Sequence, residues 1–279
     1  MVQGATSSAG KSTLCAGLCR VFRREGFNVA PFKSQNMSTR AVVIEIEEEG
    51  RGGEISAAQA FQALAAGVRP SVDMNPVLLK PLGDMTSEVI LAGRSVGVTG
   101  AREYRDKYVK TALEQIQKSL GRLVDAYDIV VIEGAGSPAE VNLKDRDICN
   151  MRIAKMANAP VILVGNIDPG GVLAAIVGTL DLLEPDERDR VRGLVINKFR
   201  GDFSLLQPGL EFLEERTGKP ILGVLPYVHD LKMIEEDSLG GNGGGSFSDV
   251  SGLDKTCDRL ADVVSESVDV AELMRIMGM

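Results

Sequence analysis

Histidine and paired cysteines are scarce in this sequence, which narrows the kinds of site it can build. His229 is the single histidine, and the four cysteines, Cys15, Cys19, Cys149 and Cys257, form no CxxC pair. This combination argues against a zinc site. Cys15 and Cys19 lie four residues apart on the first predicted helix. We interpret them as small buried hydrophobic residues of a reduced, cytoplasmic protein.

Long apolar runs and an excess of positive charge are also absent. No run approaches the length needed to span a bilayer, and no apolar segment follows a basic start as in a secretory signal. The 31 basic residues are outnumbered by 39 acidic residues, for a formal net charge of −8. That balance argues against a general nucleic-acid binder. We therefore expect neither nucleic acid nor a membrane as a partner.

A phosphate-binding loop lies almost at the N-terminus. It runs from Gly4 to Thr13 and ends in Gly-Lys-Ser-Thr, with five residues rather than the usual four between Gly4 and Gly10. Glycines let backbone N–H groups turn toward a phosphate, and the positive end of the following helix points to the same place. The nucleotide is predicted to contact Ser8, Ala9, Gly10, Lys11, Ser12 and Thr13. Within this set Lys11 would reach the β- and γ-phosphates and the Ser12 hydroxyl would take a Mg²⁺ position.

Strands and helices alternate along most of the chain, which predicts an α/β fold of the P-loop NTPase type. A mostly parallel sheet should carry helices on both faces, with ligands at the carboxyl ends of its strands. The main predicted strands are 27–32, 127–133, 160–165, 191–197 and 220–225, with short strands at 77–80 and 88–91. The predicted helices are 11–24, 55–66, 102–120, 146–157, 172–183 and 205–216.

Two segments interrupt this alternation. Residues 45–53 are rich in glutamate and glycine, which favours an exposed loop. Residues 239–246 are mostly glycine and predict a flexible linker. We therefore expect an ATPase domain over 1–238, and a linker with a helical end over 239–279 that packs on the same domain.

Charged residues at strand ends are the candidates for chemistry. Glu133 ends a continuous apolar strand, where a carboxylate can hold Mg²⁺ across from Ser12. Lys33 follows the second strand and should lie beside the phosphates, although a lone lysine is more often a solvated surface residue. Asp145 and Asp147 precede a predicted helix, so each either caps that helix or orients an attacking amine or substrate amide.

Several longer blocks of sequence resemble the ATPase domain of the cobyric acid synthase family. Together they span about residues 3 to 237, and dethiobiotin synthetases share the same five-residue loop spacing. The blocks are Gly4–Ser12, Pro31–Met37, Gly53–Ile55 with Ala58–Ala60, Pro70–Pro81, Val131–Leu143 and Val195–Asp202.

This resemblance implies ATP- and Mg²⁺-dependent amidation of corrinoid carboxylates in cobalamin biosynthesis, from cobyrinic acid a,c-diamide to cobyric acid through an acyl phosphate. It implies that Asn197 and the loop at Pro226 lie near adenine, and that Lys11, Lys33, Glu133, Asp145 and Asp147 are catalytic. The substrate residues implied are Gln35, Asn36, Asn75, Lys80, Gly136, Ser137 and Asn142. The expected partners are a corrinoid, an ammonia donor such as a separate glutaminase subunit, and a second copy in a homodimer.

The sequence departs from the family pattern in two places. Residues 38–52 are longer and more acidic than usual, so a second metal-binding aspartate is not identifiable, and Glu45 or Glu47 is the candidate substitute. A glutaminase also needs a cysteine in a Gly-x-Cys-x-Gly turn and a histidine base. No cysteine lies in such a turn. We therefore expect that this chain does not hydrolyse glutamine by that route.

Other functions share parts of these motifs. A dethiobiotin synthetase-like ligase would run the same phosphoryl chemistry on a carbamate, and the block Pro31–Met37 argues for the amidating ligase instead. A partition-type ATPase would carry an extra lysine early in the loop, where this chain has Ala5. A regulatory domain that binds nucleotide without turnover remains open because of the unusual segment 38–52.

Overall fold

The computed structural model describes residues 1–46, 51–83, 85–100, 103–104, 107–228 and 250–279. Within these residues the strands are β1 (Val2–Gly4), β2 (Val29–Phe32), β3 (Gln35–Met37), β4 (Ala41–Ile46), β5 (Arg51–Ser56), β6 (Val77–Gly83), β7 (Thr86–Leu91), β8 (Arg94–Gly100), β9 (Ile129–Ile132), β10 (Val161–Asn166), β11 (Val191–Phe199) and β12 (Ile221–Pro226). The α-helices are α1 (Lys11–Arg24), α2 (Ala57–Ala66), α3 (Val109–Ala126), α4 (Met151–Met156), α5 (Val172–Leu182), α6 (Pro185–Arg190), α7 (Phe203–Thr217), α8 (Val250–Ser267) and α9 (Val270–Met277). Two 3₁₀ helices cover Val72–Met74 and Val141–Arg146.

Six parallel strands form the centre of the fold in the order β2-β9-β1-β10-β11-β12. Two hydrogen-bonded groups, β2-β9 and β1-β10-β11-β12, are joined by a parallel bridge between Val2 and Glu133. The Gly134 N–H donates to the Val2 carbonyl at 2.8 Å and continues that pairing. Because all six strands point the same way, their carboxyl ends collect at one edge, where the phosphate loop lies.

Helices cover both faces of this sheet, which confirms the predicted fold class. Successive side chains of a strand point to opposite faces. On β10, Ile162 and Val164 pack in the cluster formed with α1, α8 and α9. Val161 and Leu163 pack in the cluster formed with α5 and α7. A third cluster places α3 against β2 and β9.

A smaller sheet lies beside the central one, in the order β3-β6-β7-β8. Strand β3 pairs with β6 in parallel, while β6, β7 and β8 form an antiparallel meander. The sequence predicted only parts of β6 and β7 here. Strands β3 and β8 escaped prediction because their alternation is interrupted by glycine or polar residues.

The prediction of an exposed loop over residues 45–53 is wrong for the residues that the structure describes. Strands β4 and β5 pair antiparallel, from Ala41 with Ser56 to Ile46 with Arg51, so residues 45–46 and 51–53 belong to a hairpin. Residues 47–50, including Glu47, lie outside the described residues, as does the predicted linker over 239–246. The hairpin is stabilised by cross-strand pairs such as Val42 with Ile55.

The helix predicted over 146–157 begins later than expected. Residues 141–146 form a 3₁₀ helix, and α4 starts only at Met151. At the C-terminus, α8 packs closely on α1, where a Cβ added to Gly17 would lie 2.5 Å from Val264 Cγ2. No helix of the described residues is long and apolar enough to cross a membrane.

Candidate nucleotide and substrate site

The phosphate loop joins β1 to α1 and is bonded to Asn197, which lies near the carboxyl end of β11. Gly10 precedes α1 with φ +89°, and a Cβ added there would lie 1.9 Å from Asn197 Nδ2. That amide nitrogen donates to the Ala9 carbonyl at 2.9 Å. Asn197 therefore supports the loop, and the position requires glycine for both its backbone angle and its lack of a side chain.

Two further residues at strand ends hold the same loop. Ser8 has φ +55°. Its carbonyl accepts hydrogen bonds from Asn166 Nδ2 at 3.3 Å and from Lys198 Nζ at 3.2 Å. The loop is thus tied to β10 and β11, while Ser12 and Thr13 lie half-buried in the first turn of α1. The loop is therefore held in place directly before the N-terminus of α1, and a glycine-rich loop in that position is the arrangement that binds phosphate groups.

Lys11 connects the phosphate loop to the segment after β9. Its side chain is buried, and Nζ donates to the Gly136 carbonyl at 3.2 Å. A Cβ added to Gly4 would lie 3.1 Å from the same Nζ. The absence of a side chain at Gly4 therefore leaves room for the lysine to lie along its own loop.

Glu133 is a buried acid surrounded by donors. Its Oε1 accepts from Ser12 Oγ at 2.7 Å and from Lys33 Nζ at 2.9 Å. Its Oε2 accepts from Gln62 Nε2. Burial alone would raise the pKa of Glu133, but the Lys33 ammonium and the hydrogen bonds from Lys33, Ser12 and Gln62 lower it below its ordinary value. The carboxylate is therefore held ionised.

The contact from Gln62 was not predicted. Gln59 and Gln62 are the polar residues of the otherwise apolar helix α2, three positions apart, and both are buried. A polar pair at helical spacing on a buried helix is a signal that a search for buried hydrogen-bond networks could have used.

A cavity of about 770 Å³ opens between the small sheet and residues 135–152. One wall is largely apolar and includes Met37, Leu79 and Tyr104. The opposite wall includes Gly136 and charged or polar residues. Of the predicted site residues, the cavity is lined by Gln35, Gly136, Ser137, Asp145 and Asp147.

Four residues predicted for the substrate lie elsewhere. Asn36 and Asn75 are buried and bonded within the protein. Asn36 donates to Ser56 Oγ, and the Asn75 amide donates to the Lys33 and Val77 carbonyls. Lys80 pairs on the small sheet with Glu54 at 2.7 Å and Glu88 at 3.5 Å.

The fourth of these residues, Asn142, is exposed on the 3₁₀ helix and does not line the cavity. Gln35, which does line it, accepts from the Tyr104 hydroxyl at 2.6 Å.

Asp147 and Asp145 are placed differently. Asp147 Oδ1 accepts from the backbone N–H groups of Cys149 at 2.8 Å and Asn150 at 2.7 Å. Its Oδ2 accepts from the Arg152 N–H at 3.0 Å, so this side chain caps the turn before α4. Asp145 is exposed at the cavity wall.

The region predicted for adenine lies at the carboxyl ends of β11 and β12. Pro226 is exposed and is paired in register with Phe199. Tyr227 follows Pro226, and the Arg200 guanidinium lies 3.5 Å from the centre of its ring.

Glu45, the candidate substitute for a second metal-binding acid, is exposed on β4 opposite Gly52.

Ser12 and Glu133 are the residues that could hold a divalent cation. No group of three or more His, Cys, Asp or Glu side chains with metal-ligand geometry occurs in the part of the chain that the structure describes. Oxygen ligands from one hydroxyl and one ionised carboxylate suit Mg²⁺, which ordinarily keeps several waters and takes further oxygens from phosphates. The donor set therefore fits Mg²⁺ bound together with a nucleotide.

A preformed phosphate loop at the end of a parallel strand, with a buried acid on the neighbouring strand, defines a P-loop nucleotide-binding protein. The chain belongs to the family described as the CobQ/CobB/MinD/ParA nucleotide binding domain, which matches residues 1–239. It is 59% identical over 239 residues to a cobyric acid synthase of Sorangium cellulosum, covering 86% of this chain and 45% of that protein. It is 50% identical over 278 residues to the cobyric acid synthase of Desulforamulus reducens, covering 100% of this chain and 53% of that protein.

The chain thus spans about half the length of the curated relatives it matches. Among solved structures, the MinC:MinD cell division protein complex of Aquifex aeolicus is similar over 93% of each chain, with 13% identity and a TM-score of 0.45. The signal recognition particle receptor FtsY of Elizabethkingia anophelis is similar over 92% of this chain and 64% of that chain, with 15% identity and a TM-score of 0.48.

Proposed function

We propose that this chain is the ATP-using part of an amidating ligase that acts on corrinoid carboxylates, in the conversion of cobyrinic acid a,c-diamide to cobyric acid. The similarity to cobyric acid synthases supports the substrate and the pathway of cobalamin biosynthesis. The observation that carries the proposal is at Gly136. Its carbonyl contacts Lys11 of the phosphate loop, and the same residue lines the large cavity. A nucleotide and a second substrate could therefore meet there.

When bound, ATP would supply the phosphoryl group and Mg²⁺ would offset its negative charge. The residues of this chain do the positioning. Backbone N–H groups from Ser8 to Thr13 would hold the phosphates, and Lys11, now bonded to the Gly136 carbonyl, would neutralise charge on the β- and γ-phosphates. Ser12 and Glu133 would hold the cation, while Lys33 keeps Glu133 ionised and would add positive charge near the transferred group.

The carboxylate to be amidated would lie in the cavity with its reacting oxygen toward Gly136 and Ser137. Transfer of the γ-phosphoryl group from ATP to that oxygen would give an acyl phosphate and ADP. Ammonia would then attack the acyl carbon, with release of phosphate and of a proton from the nitrogen. The apolar wall suits the face of a macrocycle, and the polar wall suits its carboxylate and amide side chains. In this proposal Asp145, which lines this wall, accepts a proton from the attacking ammonia.

The adenine of ATP belongs, in this proposal, at the carboxyl ends of β11 and β12 near Asn197 and Pro226. The ammonia donor is free ammonium or a glutaminase on another polypeptide or segment. A cytoplasmic location and a homodimer complete the proposal, since both suit a biosynthetic ligase of this family.

Phosphate release from ATP tests the proposal directly. The 279-residue chain is assayed with ATP, Mg²⁺ and ammonium, with and without cobyrinic acid a,c-diamide, and the corrinoid product is analysed by mass spectrometry. We expect amide formation that requires both ammonium and the corrinoid, and none with glutamine as the only donor. Lys11→Ala should lose it, whereas Lys118→Ala, which changes an exposed lysine of α3, should not. Phosphate release that ignores the corrinoid would contradict the proposal.

A further inference from the structure

Helix α2 carries two buried amides that the proposed chemistry does not use. Gln59 and Gln62 are 0% and 1% exposed, within a helix otherwise made of Ala, Phe and Leu. Burying an amide is unfavourable unless its polar atoms are hydrogen-bonded. Two glutamines in such a place therefore need a local reason.

The hydrogen bonds between these amides run in one direction. Gln62 Nε2 donates to Glu133 Oε2, and Gln59 Nε2 donates to Gln62 Oε1 at 3.1 Å. An ionised carboxylate can only accept, so Gln62 must present its nitrogen to Glu133 and its carbonyl to Gln59. Gln59 must then present its own nitrogen. The direction of the whole chain of bonds is therefore determined by Glu133.

This direction of the hydrogen bonds leaves the carbonyl oxygen of Gln59 without a donor. Gln59 Oε1 is buried and has no hydrogen-bond partner within the described residues. A buried acceptor without a partner is destabilising. An apolar residue at position 59 alone would only move that cost to Gln62 Oε1, which accepts from Gln59. Apolar residues at both 59 and 62 would avoid it, which indicates that the pair of glutamines serves something other than stability.

The two oxygens of Glu133 have separate partners. Oε1 faces Ser12 and Lys33, and Oε2 faces Gln62. The bond from Gln62 opposes rotation of the carboxylate, so Oε1 stays directed toward the Ser12 hydroxyl. Partners of a metal ligand that orient it in this way contribute to metal affinity without touching the metal.

We propose that Gln62, whose carbonyl is held by Gln59, is a positioning residue that directs Glu133 Oε1 toward Ser12 and so increases the affinity for the divalent cation bound with the nucleotide. The inference rests on the proposed function in one respect, the cation site at Ser12 and Glu133. It does not depend on the corrinoid or on the amide donor.

Binding of a fluorescent, non-hydrolysable ATP analogue during Mg²⁺ titration tests the inference without turnover. Gln62→Met keeps the length of the side chain but removes the donor, and we expect its Mg²⁺ midpoint to rise by roughly 10–100-fold. Gln59→Met should raise the midpoint less, because Gln62 then keeps its bond to Glu133 and loses only the donor that holds its carbonyl. Gln115→Met, which removes a half-buried amide of α3 that donates to Ser119 Oγ, should leave the midpoint unchanged.

Thermal unfolding without nucleotide separates positioning from simple packing. Gln59→Met removes one buried acceptor that lacks a partner but leaves Gln62 Oε1 without its donor. Because these two effects offset each other, its Tm should stay close to that of the wild type while its Mg²⁺ midpoint rises. A purely structural role predicts the reverse, a lower Tm with an unchanged midpoint, and would overturn the inference.

Other outcomes distinguish the inference from the proposed function. A folded Gln62→Met protein with the wild-type Mg²⁺ midpoint overturns the inference and leaves the ligase proposal intact. If Gln62→Met does not fold, an unchanged midpoint in Gln59→Met overturns it equally. Nucleotide binding by the wild type that ignores Mg²⁺ removes the cation site, and the inference with it.

Discussion

Lys33 and Glu133 form an ion pair, 2.9 Å from Nζ to Oε1, in which each side chain is only 1% exposed. Phe32 pairs with Ile132 at the ends of β2 and β9, so the next residue of each parallel strand reaches the same point. Removing one member of a buried pair leaves an uncompensated charge. We expect Lys33→Met to lower the free energy of unfolding by about 3–5 kcal/mol, measured by urea denaturation.

A double-mutant cycle with Lys33→Met, Glu133→Gln and the double variant Lys33→Met/Glu133→Gln is the control. It removes both charges at once, so its destabilisation should be clearly smaller than the sum of the two single variants. Additive effects would mean that the two side chains do not interact in solution as they do in the structure.

Gly10 offers a test of the phosphate loop. Gly10→Ala places a Cβ 1.9 Å from Asn197 Nδ2 and keeps an unfavourable φ of +89°. We expect loss of nucleotide binding, measured by titration with ATP and Mg²⁺. The double variant Gly10→Ala/Asn197→Ala removes the collision but keeps the left-handed backbone, which still costs roughly 1–2 kcal/mol. We therefore expect its free energy of unfolding to lie between that of Gly10→Ala and that of the wild type.

A glycine in open surroundings is the matched control. Gly121 lies exposed inside α3, and a Cβ added there meets nothing within 4 Å. Gly121→Ala should stabilise the protein by about 0.5–1 kcal/mol, because alanine has the higher helix propensity. Normal nucleotide binding in Gly10→Ala would contradict the role given to the loop.

The parts of the molecule that the sequence predicted well are those with local signals. The glycine-lysine-serine motif identified the loop, and a continuous apolar strand ending in Glu133 identified the acid beside it. The role of Gln62 was missed because its partner is 71 positions away in sequence. Two glutamines on an apolar helix indicate a buried network, but they do not indicate which residue the network bonds. Backbone pairing also decides the β4–β5 hairpin, where glycine and glutamate locally favour a loop.

The late start of α4 has a similar cause. Asp147 accepts from three backbone N–H groups and holds residues 147–150 in a turn, so the helix begins only after it. Helical periodicity from Arg146 onward cannot reveal this, because it reports which side chains are apolar and not which backbone groups are already bonded.

Asp147 and Asp145 should therefore respond differently to replacement by asparagine. Asp147→Asn keeps one carbonyl oxygen but exchanges the other oxygen for an amide nitrogen, and one of its three backbone bonds must be lost. We expect a loss of about 1 kcal/mol in the free energy of unfolding. Asp145→Asn should leave stability unchanged, because this side chain is exposed.

Amide formation by the same two variants tests their role in the reaction. If a carboxylate accepts a proton from the amine, its replacement keeps ATP binding but lowers the rate of amide formation by on the order of 10²–10⁴. We expect this loss in at least one variant. Near-normal rates in both would leave Asp147 as a cap and Asp145 as a surface residue.

Glu187 joins three elements at the end of the cavity. This buried carboxylate, in the first turn of α6, accepts from Lys144 at 2.9 Å and Lys155 at 3.1 Å. It also accepts at 3.2 Å from the N–H of Glu184, the residue that caps the N-terminus of α6. Burial alone would raise the pKa of Glu187, but hydrogen bonds from the two lysines and from the Glu184 N–H lower it below the ordinary value of 4.5.

The stability contributed by Glu187 should consequently depend on pH. A depressed pKa means that the folded state binds the ionised form more strongly, so the contribution is complete above pH 4.5 and is lost as the pH falls through the lower folded-state pKa. At pH 7 we expect Glu187→Gln to lower the free energy of unfolding by about 1–2 kcal/mol, a modest value because both lysines are partly exposed and screened. The difference from wild type should shrink and disappear in acid.

Asp186→Asn, which removes an exposed acid that contacts the same Lys155, is the matched control and should show little difference at any pH. A Glu187→Gln deficit that stays constant from neutral pH into acid would mean that the side chain stabilises the protein by packing and not by its charge.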